Sequence, residues 1–209
     1  MAVITGYTSL QTAVADYLNN STLTTFLPNF IQNWEERFYR DPKNFGRWME
    51  TSADSVIASD VVAVPASYLK LKYAYVSGSP SARLDRVSIN QLLGTYPRGG
   101  SDGTPVWIAR EGSNFLFGPE PDFAYTIHLI YFAKQTLIRN YAGDAAAHWL
   151  ILNAPEMVLY GALLEAEPFL LGDARVPLWK AAYDYALQAY RDLFEDEEVS
   201  GAPVQEVLA

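Results

Sequence analysis

The spacing of apolar positions changes twice along the chain and divides it into three stretches. Phe26, Phe30, Trp34 and Phe38 step by four, with Leu27 and Ile31 beside them, which is the signature of one buried helix face. Pro28 falls in the first turn, where its missing N–H costs little, and Asp41-Pro42 stops the helix. Glu35, Glu36, Arg37 and Arg40 are expected on its solvent side. Ahead of it, Leu10, Ala13, Val14, Tyr17 and Leu18 keep the same period, and Thr8 and Gln11 stand at capping-box spacing, so a first short helix is predicted over 9–19.

From Phe45 to about Lys134 the texture turns to short β-type runs separated by glycine, proline and serine. Val61 to Val64, Leu71 to Val76 and Arg83 to Val87 read as strands, and Ser88 as the cap of a single helical turn, Ile89 to Leu93. After the loop Tyr96 to Gly103, the runs Val106–Arg110, Phe115–Phe117 and Tyr125–Phe132 suggest an antiparallel meander. In the last run Thr126, His128, Ile130 and Phe132 alternate with Ile127, Leu129 and Tyr131.

Helical period resumes at about His148. Asn153-Ala154-Pro155 restarts it, and Met157, Leu159, Tyr160, Leu163 and Leu164 continue it to about Glu167. With Asp173 as N-cap, a final helix would bury Trp179, Tyr183, Ala186, Tyr190, Leu193 and Phe194. It then meets Glu195-Asp196-Glu197-Glu198, carboxylates placed where the helix dipole disfavours them. The fold class expected is α+β: a four-helix bundle, with two N-terminal and two C-terminal helices over 1–44 and 135–198. A β-rich antiparallel region is inserted at 45–134, and an extended tail covers 199–209.

Composition narrows the function. The 209 residues are half apolar, enough for a real core. No cysteine is present, which removes disulfides, thiolate metal sites and cysteine nucleophiles. The N-terminus lacks the pattern of an export signal, and no apolar run approaches the ~20 residues of a membrane span. Residues 1–140 hold 12 acids and 12 bases, whereas residues 141–209 hold 12 acids against Arg175, Lys180 and Arg191 alone, so the net charge of -9 is entirely C-terminal. That asymmetry opposes sequence-specific nucleic-acid binding and suits a surface that nucleic acid passes without sticking.

Candidate chemistry is sparse. His128 in a strand and His148 at a helix start have no converging ligands, and no metal or cofactor is expected. Arg98-Gly99-Gly100-Ser101-Asp102 looks like a phosphate cradle but lacks the Gly-Lys-Ser/Thr ending, and reads better as a flexible contact loop. Glu35/Glu36, Glu165/Glu167 and the 195–198 run would be the carboxylate pairs of a cell-wall hydrolase, against which stand their expected solvated faces. The aromatics would suit a sugar or base platform, but at helical spacing they favour core or subunit interface.

The block Trp149 to Ala166, Pro168-Phe169-Leu170, then Asp173, Arg175, Trp179 and Tyr183, and Ser200-Gly201-Ala202-Pro203 resemble the head-to-tail adaptor (connector) proteins of short-tailed bacteriophages. Leu27 to Ile31 with Glu35-Glu36-Arg37, Val64 to Leu69 and Gly103-Thr104-Pro105 extend the resemblance over nearly the whole chain. It implies a non-enzymatic virion protein of the neck, assembled in the host cytoplasm as a ring of about twelve copies under the portal protein. In such proteins the helical part builds the ring, the C-terminal segment reaches the portal, and the β part faces the tail nozzle, with tail fibres as a further candidate partner. Applied to this chain, Val199, Ser200, Gly201, Ala202, Pro203 and Val204 would bind the portal. Asp192, Glu195, Asp196, Glu197 and Glu198 would face the DNA channel, and residues 98–102 would face the tail. Another neck, head-completion or tail-tube protein is the structural alternative.

Overall fold

The computed structural model describes residues 3–78, 80–141, 148–170 and 172–199, with side chains through 195. The chain forms two compact units, one made of Met1–Trp48 with Thr136–Ala209, the other of Met49–Gln135.

In the first unit, helices α1 (Tyr7–Leu18) and α2 (Leu27–Arg40) come before the excursion into the second unit, and α4 (Trp149–Asn153), α5 (Pro155–Glu165) and α6 (Val176–Val199) come after it. The short helix α3 (Ile89–Thr95) belongs to the other unit. Six helices and two four-stranded sheets among the described residues therefore replace the expected four-helix bundle. Part of the reason is local. Pro155 lacks an N–H and pushes the residue before it out of helical geometry, so Ala154 sits at φ -142°, ψ 50° and splits α4 from α5. The rest lies in α5, which is apolar on all sides: Met157, Val158, Leu159, Ala162 and Leu163 are all buried. Such a helix needs neighbours all round, and α1, α2, α4 and α6 all pack on it.

The second unit holds β1 (Glu50–Ile57), β2 (Val61–Ala63), β3 (Tyr68–Val76), β4 (Ala82–Arg83), β5 (Asp85–Arg86), β6 (Trp107–Glu111), β7 (Asn114–Gly118) and β8 (Tyr125–Ala133). One sheet has the order β1-β8-β3-β4, the other β2-β7-β6-β5. The expected meander is thus broken: β6 and β7 form a hairpin, but β8 crosses to the other sheet between β1 and β3. The pairing is antiparallel throughout except between β5 and β6, which run parallel. Alternation explains the crossing. Ile127, Leu129 and Tyr131 of β8 meet Ile108, Phe115 and Phe117 of the other sheet in one core. The opposite residues of that second sheet, Ala109 and Leu116, pack under Leu92 of α3, whose Ser88 cap accepts from Gln91 N–H at 3.2 Å. Strand β1 has no sequence expectation behind it, because its polar and small residues, Ser52, Ala53, Asp54 and Ser55, carry little hydrophobic signal.

Candidate interaction surfaces

Helix α6 is anchored at both ends. Ahead of it, Asp173 Oδ1 accepts from Arg175 N–H at 2.8 Å, making a turn three residues before the helix in place of the expected N-cap. Arg175 donates to Tyr17 O at 2.7 Å and Leu18 O at 3.3 Å, placing a cation on the C-terminal carbonyls of α1. The same guanidinium lies 5.0 Å from the Trp179 ring centre and holds the Asp173 carboxyl below its ordinary pKa through their hydrogen bonds. Farther along, Tyr190 accepts from Trp48 Nε1 at 2.9 Å and donates to Asn44 O at 2.7 Å. Arg191 reaches Asp41 and Asn44, each at 2.7 Å.

The inner face of α6 carries Trp179, Tyr183, Tyr190 and Phe194. Leu193 does not join it as expected; it is 54% exposed, and Leu178 and Tyr185 are exposed at 70% and 78%. Tyr185, Ala189 and Leu193 form one wall of a groove of about 320 Å³, across which stand Trp149, Pro155 and Met157. Trp149 is fixed there by stacking on Trp48, with ring centres 5.0 Å apart and planes 3° from parallel. The period of this second stripe was present in the sequence, at Leu178, Ala181, Tyr185 and Ala189, but it is weaker than the aromatic inner face.

Asp192 and Glu195 are exposed on α6, and Asp192 accepts from Gln188 at 2.6 Å. The helix runs through Asp196, Glu197 and Glu198 to Val199; the side chains of these four and the whole of Ser200, Gly201, Ala202, Pro203 and Val204 lie outside the described residues. Residues 98–102 are tied down more than a flexible loop would be. Arg98 pairs with Glu111 and, at 3.4 Å, with Asp60. Gly99 takes φ +68°, Gly100 N–H closes a turn on Pro97 O at 2.9 Å, and Asp102 bridges to Glu120.

The carboxylates separate in their roles. Glu35 is not on the solvent face as expected but buried, with both oxygens accepting from Ile138 N–H at 3.1 Å. It therefore holds the strand of chain that returns from the second unit. Glu36 points outward, near Arg40 at 3.8 Å. Glu165 pairs with Arg37 at 3.0 Å; burial pushes its carboxyl pKa up, and the arginine partly offsets this. His128 pairs with Asp54 across β8 and β1. His148 is buried at the start of α4, where Nδ1 accepts from Leu150 N–H at 3.2 Å. The proton must then reside on Nε2, which points to Tyr39 Oη at 3.4 Å. Burial pushes its pKa down to about 4. Among the described residues no three His, Asp or Glu side chains converge as a metal site would need, and no helix is long and apolar enough to cross a membrane.

No curated protein matches the chain. The family model described as SU10 adaptor protein matches residues 5–205, which takes in both units and all but the first and last few residues. The chain therefore belongs to the SU10 adaptor protein family of phage head-to-tail adaptors and has the structural role of that family.

Proposed function

We propose that this adaptor forms a closed ring of about twelve copies in the virion neck, between the portal protein and the tail nozzle, with DNA passing through its channel. The observation that carries the reading is the family match over 5–205; the exposed apolar face of α6 and the groove beside it supply a surface for a protein partner. In a ring of that size the net charge of -9 becomes on the order of -100, enough to keep DNA from adhering to a wall.

Asp192, Glu195, Asp196, Glu197 and Glu198 would line or adjoin the DNA passage, Val199 to Val204 would dock on the portal, and residues 98–102 would meet the nozzle. Assembly takes place in the host cytoplasm before the neck is complete. The test is native mass spectrometry and electron microscopy of the purified protein with and without portal rings. A closed ring seated on the portal is the expected outcome; a protein that neither assembles nor binds the portal removes the reading. Deleting residues 199–209 should abolish attachment to the portal, and acidic side chains on the outer surface of the assembled ring would remove the channel assignment.

A further inference from the structure

Two helices of the first unit each turn an exposed stripe away from the core, and the two stripes share one spacing. On α2 the inner face is Phe30, Trp34 and Phe38, all buried, while Asn29, Asn33, Arg37 and Arg40, with Phe26 at the cap, are exposed. On α6 the exposed line is Leu178, Ala181, Tyr185, Ala189 and Asp192. Both lines follow the three- and four-residue steps of one helix face.

Phe26 and Arg40 are fourteen residues apart, as are Leu178 and Asp192, a rise of about 21 Å in each case. Laid parallel, the two stripes set Phe26 against Leu178, Asn29 against Ala181, Asn33 against Tyr185, Arg37 against Ala189, and Arg40 against Asp192. The apolar ends meet, alanines face Asn29 and Arg37, Tyr185 faces the smaller Asn33, and the basic end of α2 meets the acidic end of α6. Arg37 keeps its pair with Glu165 and offers its stem to Ala189. Within one chain this pairing cannot form, since α2 and α6 already face each other through their inner sides, where Trp34 donates to Tyr183 and Arg191 reaches Asp41. The complementary stripe must come from another molecule.

We infer that the α2 stripe of one copy docks in parallel along the α6 stripe of the next, with Asn33 and Arg37 at the edge of the groove that Tyr185 and Ala189 line. The inference rests on the ring proposed above and names its subunit contact. Two different patches on each subunit make the contact head-to-tail, the kind that closes into a ring when the rotation allows. Burial of Phe26, Leu178 and Tyr185 supplies the attraction, and Arg40 with Asp192 fixes register and direction.

The chain has no cysteine, so the contact can be trapped in the full-length protein. Asn29→Cys and Ala181→Cys are made as separate proteins and mixed under oxidising conditions, alone and with portal rings, while wild-type assembly is followed by native mass spectrometry. A disulfide that forms in the mixture but in neither variant alone is expected. Arg40→Asp and Asp192→Arg should each weaken assembly about tenfold or more, and the two combined in one chain should regain much of it. Wild-type rings that form while the mixed pair stays unlinked, or in which Ala181→Cys links to itself, overturn the α2–α6 contact and leave the ring intact. Absence of any wild-type assembly, alone or on the portal, overturns both.

Discussion

The indole of Trp34 fills the space that a side chain at position 161 would occupy: a Cβ on Gly161 would lie 2.0 Å from Nε1 and 2.2 Å from Cδ1. Helix α2 can pack on α5 at this point only because residue 161 has no side chain. Trp34 is itself held, buried and with Nε1 donating to Tyr183 Oη at 3.3 Å. Gly161→Ala gains helix propensity but forces a buried ring to shift. A net loss of at least about 2 kcal/mol is expected. Urea unfolding followed by tryptophan fluorescence reads this directly, because Trp34, Trp48, Trp149 and Trp179 all lie in the helical unit. An unchanged midpoint would show that the packing relaxes freely.

Glu35 gives a second test. Its two oxygens share the Ile138 N–H in a buried setting, so Glu35→Ala leaves that donor without its partner. The loss should be about 2 kcal/mol or more, and Glu35→Gln, which retains one acceptor, should lose less. Equal losses in the two variants would mean that the hydrogen bond contributes nothing of its own.

Tyr190→Phe removes a hydroxyl that at once accepts from Trp48 and donates to Asn44. Both partners lose it while the ring stays, so a cost of about 2 kcal/mol is expected. Burial raises the pKa of this phenol, so the hydroxyl stays protonated across the neutral range and the cost should be the same at pH 6 and pH 8. A marked difference between those two pH values would contradict the assignment.

His148 makes stability depend on pH. Its folded pKa of about 4 lies below the ordinary 6.5, so the unfolded chain binds the proton more readily between those values. The contribution is complete above pH 6.5 and is lost as pH falls toward 4, by about 3 kcal/mol at most. His148→Asn keeps a capping acceptor but does not titrate. It should therefore flatten the stability profile over this window, and a profile of unchanged slope would assign the acid sensitivity to other groups.

Read alone, the sequence determined the elements with strong periodicity. The inner faces of α2 and α6 and the alternation in β8 follow from the apolar spacing because a helix or strand must bury one face, and the Ser88 cap follows from a hydroxyl placed ahead of a helical turn. The family resemblance was legible in short stretches spread along almost the whole chain, and the family model matches residues 5–205. Tertiary structure decided what spacing cannot express. It turned Glu35 inward to meet a backbone N–H 103 residues away, and gave a glycine in an apolar helix its purpose as the seat of Trp34. It also sent β8 into the sheet opposite β7 and left Leu193, apolar and in period, on the outside. For Glu35, Gly161 and β8 the partner lies far away in sequence, and the energy that places the residue arises only when the two segments meet.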